Sequence, residues 1–364
     1  MSTRLRLLSL DGGGVKGIST LLILDRIMEE VKNLRGQGDG MKPLPKDYFD
    51  LAGGTSSGGL IALMLFRLGM STTVAIEKFE TIVTDLFSPR IWGLNLHDFD
   101  MAGYWVGNGF LQLKSLFQSR FPREPLTAAI DKVMEETSTY EDDVSNKGNN
   151  KLLKEESGRM FMCATRIDKS ESVLFKSYKP PEDAGSSEFE NVSIADAACA
   201  TSAAPTFLPH VAIDGVDFWD GALINNNPIH QVWEARYDLA PPLPSDEDQV
   251  AEEPTVSCIV SIGTGYHTEA GELPENILNT IATVMSYSTN TRAKDRDFRR
   301  GLGRLNRRRP KDKRTKYFRF DAFIREEVNI DDWQKMKILR EDTEKWMETK
   351  GKDEIKECAT LLCQ

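Results

Sequence analysis

Twice within its first seventy residues the chain passes from a short apolar run, through clustered glycines, into a helical pattern. Arg4–Leu10 reads as a short buried strand, and Gly12, Gly13, Gly14 and Gly17 follow it. Ile18–Leu34 then sets Leu21, Leu22, Leu24, Ile27, Met28 and Val31 at helical spacing. Tyr48–Ala52 reads as a second strand. Beyond another glycine cluster, Leu60–Leu68 reads as a very apolar helix. Parallel strands need a crossover, usually a helix, to bring the chain back, so this alternation predicts an α/β fold with a mainly parallel sheet.

Further along, Arg159–Thr165 and Ser172–Tyr178 read as paired strands, and Val256–Gly263 as another strand. Glu275–Ser288 reads as a helix behind Pro274. The last thirty residues also read as helix, with Ile355, Cys358, Ala359 and Leu362 on one stripe. Residues 140–157 read as a polar surface loop, and 241–254 as an exposed acidic, proline-rich insertion. The domain boundaries expected are 5–325 for the main domain and 326–364 for a C-terminal helical extension.

The 364 residues are 40% hydrophobic and 28% charged, which excludes a wholly disordered chain. No apolar run reaches the roughly 18 residues of a membrane span. Asp11 and the glycines interrupt the N-terminus before a signal-peptide core can form. The five scattered cysteines lack metal-ligand spacing, so a reduced, cytoplasmic protein without a metal or other cofactor is expected. The formal net charge is −10, yet residues 292–319 hold 14 Lys/Arg against three Asp, which leaves −21 on the remainder. An acidic body disfavours nucleic acid. The basic stretch suits either an anionic surface or a solvated face.

Asp11-Gly12-Gly13-Gly14-Val15-Lys16-Gly17 leaves backbone N–H groups beside the positive end of a helix, where a phosphate or an oxyanion binds. Gly12, Gly14 and Gly17 fit G-x-G-x-x-G. The acidic residue that a dinucleotide site needs falls instead within the following helix, and Lys16 is misplaced for a phosphate-binding P-loop. Gly54-Thr55-Ser56-Ser57-Gly58 has the G-x-S-x-G form of a nucleophile elbow between strand and helix. A serine nucleophile needs a base. His230 and His267 would complete a Ser–Asp–His order, although Ser56 comes early for that fold. Asp220 follows the apolar pair Phe218-Trp219 at a strand end, an environment that raises a carboxylate pKa toward that of a useful base.

Taken in order, these three motifs, with Asn226-Asn227-Pro228 and the segment Ala200–Pro205, resemble the patatin-like phospholipase family. The resemblance runs from Leu7 to Pro228 and more loosely to Gly265. It implies a three-layer α/β/α fold and metal-free hydrolysis of phospholipid or related acyl esters by a Ser–Asp dyad. Carried over by motif, Ser56 is the nucleophile, Asp220 the base, Gly54 and Gly58 the elbow glycines, and Gly12, Gly13 and Gly14 the oxyanion hole. The implied partner is a lipid or membrane-surface substrate, with 292–319 as a candidate anionic-lipid contact and a peripheral membrane association. The competing reading is a signalling module with this fold and no turnover, part of a longer receptor-like chain. Trp92, Phe99, Tyr104, Trp105, Phe110 and Phe117 are candidates for an acyl groove or a lid, and equally for core.

Overall fold

A computed structural model describes residues 4–36, 40–88, 90–91, 94–95, 119–138, 140–181, 188–240, 253–267 and 291–364. Eight strands form its main sheet: β1 (Leu5–Leu10), β2 (Leu51–Thr55), β3 (Met160–Arg166), β4 (Glu171–Lys176), β5 (Val211–Ile213), β6 (Val216–Asp220), β7 (Val256–Ile262) and β8 (Lys316–Phe320). The order is β8-β7-β1-β2-β3-β6-β5, with β4 also paired to β3. The pairs from β8 to β3 are parallel, and β4, β5 and β6 join antiparallel.

A parallel sheet is covered on both faces, so its strands carry apolar side chains in both directions. Leu8, Leu10, Met160, Met162 and Ala164 face one core, and Leu7, Phe161 and Cys163 the other. On the first face lie α1 (Gly17–Leu34), α2 (Ser57–Ala62) and α3 (Thr72–Phe87), and beyond them α4 (Glu124–Thr137), α5 (Glu141–Asn146) and α6 (Ile194–Ser202). A one-turn helix, α7 (Ala222–Asn225), follows β6. The second face is covered by α8 (Ile229–Glu234) and α9 (Thr291–Arg308), through Ile229, Val232, Phe298 and Leu302. This is the three-layer α/β/α arrangement that the motifs implied.

The C-terminal helices α10 (Met336–Glu348) and α11 (Lys352–Leu362) pack on α1. Ile355, Cys358, Ala359 and Leu362 are all buried there, in the same cluster as Leu8 and Ile18.

Three expectations need correction. The second strand begins at Leu51, not Tyr48, because Pro45–Asp47 closes a 3₁₀ turn. Its sequence, Leu-Ala-Gly-Gly-Thr, has little intrinsic strand preference, and complete burial between β1 and β3 decides it. The segment 140–157 is not merely a surface loop. It contains α5, whose Asp143 is fully buried and accepts two hydrogen bonds from Arg67, at 2.6 and 2.8 Å. The apolar helix begins at Ser57 and ends in a π-turn, Leu63–Arg67, that contains Arg67. The expected helix at 275–288, the aromatics from Trp92 to Phe117 and most of the 241–254 insertion lie outside the described residues.

Candidate active site

β3 changes partner along one edge, and the site forms at that change. Thr55, the last residue of β2, pairs with Cys163, and Asp220, the last residue of β6, pairs with the next residue, Ala164. β4 occupies the other edge of β3 throughout. Two strands arriving from opposite directions therefore end side by side, delivering Ser56 and Asp220 to one spot.

Ser56 has φ 53° and ψ −126°, a conformation that costs a non-glycine residue of order 1–3 kcal/mol. The turn is held by close approach. A Cβ on Gly54 would stand 2.2 Å from the Gly58 carbonyl oxygen, and one on Gly58 would stand 2.3 Å from that of Leu10. The Ser56 N–H donates to Thr201 Oγ1 (3.0 Å), whose own hydroxyl donates to the Cys163 carbonyl (2.6 Å). The turn at Ser56 is thus tied through α6 to β3, the strand with which Asp220 pairs.

Asp220 is 2% exposed. Its carboxylate accepts from the Ala222 N–H (2.7 Å), and the Ser56 side chain is close enough to favour its charged form. Burial pushes its pKa up from 3.8 to about 7, against the lowering effect of the Ala222 N–H and the Ser56 side chain. An acceptor of that basicity suits a general base at neutral pH. The histidines lie elsewhere. The ring of His230 packs edge-on against Phe298, His267 Nδ1 bonds the Ile324 carbonyl (3.0 Å), and His210 lies 3.6 Å from Asp217. His97 is outside the described residues.

The three loop glycines have unequal roles. The Gly12 N–H donates to the Asn226 carbonyl (3.0 Å), a bond between two loops. The absent side chain of Gly12 matters more, since a Cβ there would stand 2.3 Å from Asn226 Oδ1 and 3.2 Å from Ser56 Cβ. Among the described residues the Gly13 N–H is held only by the Ser57 hydroxyl (3.1 Å). Among the described residues the Gly14 N–H has no partner, and Gly14 sits at φ +58°.

Behind the loop, Arg319 grips Asp11 at 2.6 and 3.0 Å and donates to Ser261 Oγ at 2.8 Å. Burial raises the Asp11 pKa to about 6 despite the guanidinium. Arg319 escaped the sequence reading because it lies 308 residues from Asp11 in a stretch counted only as charge. Thr201 lay inside a recognised segment, but no local pattern marks a hydroxyl that will face a distant turn. Among the described residues no group of three His, Cys, Asp or Glu is placed to hold a metal ion.

The family description "Patatin-like phospholipase" matches residues 8–233, more than half of the chain. The chain belongs to the patatin-like phospholipase family. A "cGAMP-activated phospholipase" of Vibrio cholerae is 30% identical over 253 residues, covering 67% of this chain and 61% of that protein. A protein of the same description from Escherichia coli is 30% identical, over 62% of this chain and 54% of the relative. "Patatin-like protein 3" of Arabidopsis thaliana is 27% identical, over 71% and 58%. The chain therefore spans between half and two thirds of the length of these patatin-like relatives. Arg319 and α9 lie beyond the matched residues.

Proposed function

We propose that this patatin-like protein is a phospholipase A-type acyl hydrolase working through a Ser56 acyl-enzyme with Asp220 as base. The observation that carries the reading is a strained Ser56 brought by β2 beside a buried Asp220, delivered by β6, whose pKa is raised to about 7. Ser56 Oγ attacks the ester carbonyl while Asp220 takes its proton. The tetrahedral oxyanion forms over the glycine loop. The Gly14 N–H meets it directly, and the Gly13 N–H joins when the Ser57 hydroxyl turns away. Losing one such donor typically costs about 3–4 kcal/mol of the barrier reduction. Asp220 then returns the proton to the leaving alcohol, and a water deprotonated by Asp220 releases the fatty acid.

The partner we propose is an anionic lipid surface. Along α9, Arg296, Arg300, Arg304, Arg307 and Arg308 are exposed on one side, while Phe298 and Leu302 are buried on the other. Lys311, Lys313 and Arg314 extend this exposed charge. Each such residue near an anionic leaflet contributes about 1 kcal/mol. Arg309 is not part of this face, since it pairs with Glu253 at 2.6 Å. Among the described residues no helix is long and apolar enough to cross a membrane. Binding to phosphatidylglycerol-containing vesicles should be salt-sensitive and should weaken when Arg304, Arg307 and Arg308 become Gln. Hydrolysis of a soluble ester should stay unchanged. Wild-type vesicle binding by the triple variant at low salt would reject the surface.

The test of the chemistry is covalent labelling. A fluorophosphonate should modify Ser56, and Ser56→Ala should lose both labelling and esterase activity. Modification of Ser57, or undiminished labelling of the Ala variant, would refute the assignment. A folded wild type that neither labels nor hydrolyses any lipid would favour the signalling module without turnover.

A further inference from the structure

Ser56, Asp220 and the glycine loop lie on separate elements, and three consecutive asparagines after Asp220 hold them in register. The Asn225 carbonyl accepts from Thr55 Oγ1 (2.6 Å), one residue before the nucleophile. The Asn226 carbonyl accepts from the Gly12 N–H (3.0 Å). Asn227 donates through Nδ2 to the Thr291 carbonyl (3.3 Å) and accepts at Oδ1 from the Ile229 N–H (3.0 Å). Each asparagine thus anchors a different neighbour: the elbow, the glycine loop and α9.

The weak point of this hub is α7. A single helical turn has no cooperative stability of its own and ends with unsatisfied carbonyls. Lys294, in the first turn of α9, reaches that end. Its ammonium donates to the Ile224 carbonyl and to Asn225 Oδ1 (3.1 Å). The other end of the same amide, Asn225 Nδ2, donates to Ser172 Oγ (2.7 Å). The Asn225 side chain is therefore stretched between α9 and the start of β4. The basic residues of α9 at 296, 299, 300 and 304 are exposed. Lys294 instead gives up hydration to cap a helix end beside the base, and burial lowers its pKa.

We propose that Lys294 is a positioning residue of the hydrolase, clamping Ala222–Asn227 so that Asp220, the Ser56 elbow and the Gly12 loop keep their mutual geometry. The proposal rests on the Ser56–Asp220 reading and adds a residue beyond the family match of residues 8–233. A cation at the C-terminal end of a helix is favourable electrostatically. Its value here is geometric, because a misplacement of about 1 Å can cost on the order of a hundredfold in rate.

The test compares the full chain with Lys294→Met, which keeps the stem and removes the donors, and with Lys294→Arg, which restores donors. Three readouts are taken: steady-state hydrolysis of a soluble short-chain ester, the rate of fluorophosphonate labelling, and amide hydrogen exchange followed by peptide. Lys294→Met should lower kcat by about tenfold or more, with KM within about twofold of wild type. Labelling should slow in parallel. Exchange should rise in peptides covering 8–16, 50–60 and 219–229, and not in those covering α1 or α11. Lys294→Arg should recover a substantial part of each loss. The proposal is overturned if Lys294→Met keeps wild-type kcat and exchange. It is equally overturned if kcat falls only in step with the folded fraction while exchange rises everywhere. If wild type neither labels nor hydrolyses, the Ser56–Asp220 reading fails by itself, and the exchange pattern still decides whether Lys294 holds the segment.

Discussion

At the scale of single residues, Asp220 sets function against stability. Its carboxyl is protonated in the folded protein up to about pH 7 and ionised in the unfolded chain above about pH 4. The folded state therefore binds more protons between these values, and this group's contribution to stability falls as pH rises through that window. A shift of that size caps the effect at about 4 kcal/mol. Asp220→Asn should abolish hydrolysis and raise the melting temperature at pH 7.5, with the gain shrinking toward pH 4. A melting temperature below wild type at both pH values would contradict this. In wild type, kcat/KM on a soluble ester should rise with pH and level off above about 7, because only ionised Asp220 accepts the proton. His230→Ala and His267→Ala should retain most activity; a loss of about 10⁴-fold in either would restore the Ser–Asp–His reading. Gly14 is constrained on two counts. It adopts φ +58°, and a Cβ there would stand 2.1 Å from the Ile330 carbonyl oxygen. Gly14→Ala should reduce both labelling and stability, as read by the rate of probe capture and by urea unfolding.

At the scale of elements, the chain joins distant segments through buried ion pairs whose partners no local pattern connects. Arg67 ends the π-turn after the nucleophile helix and locks α5 through Asp143, both side chains at 0% exposure. Arg319 in β8 locks Asp11 at the head of the glycine loop, with side chains 6% and 1% exposed. Removing one member of a buried pair leaves an uncompensated charge and typically costs about 3–5 kcal/mol. Asp143→Ala and Arg319→Met should both lose stability of that order in urea titrations. Only Arg319→Met should also lower kcat in the fraction that remains folded, because only that pair adjoins the glycine loop. Equal specific activities in the two folded variants would remove Arg319 from the support of the site.

At the scale of the whole molecule, the question is how the C-terminal helices relate to the rest. The expected boundary at residue 326 separates helices whose buried side chains share a core with β1 and α1. We expect the two parts to unfold together. Ile355→Ala, at 1% exposure, should cost about 2–5 kcal/mol and lower the urea midpoint of the whole protein in one transition. A separate early transition confined to α10 and α11 would make 326–364 an independent extension.

Much of this protein was legible in the order of its residues. Strand, glycine turn and helix in repetition specify a parallel sheet, because local periodicity and turn chemistry are properties of neighbouring residues. Ser56 and Asp220 could be singled out as candidates for the same reason, since each lies in a short stretch whose residue types and spacing are visible without the fold. The start of β2 was not legible. Leu51–Thr55 has weak strand preference, and only its place between β1 and β3 makes it a strand. Nor was the division of labour among Gly12, Gly13 and Gly14, which depends on where Asn226 and Ser57 arrive. Lys294 and Arg319 read as anonymous members of a basic run. The tertiary structure turns one toward the carbonyl end of α7 and buries the other against Asp11. Hydrogen bonds and ion pairs between residues tens to hundreds of positions apart exist only once the sheet has set those distances, so the chemistry was written locally and its support was decided by the fold.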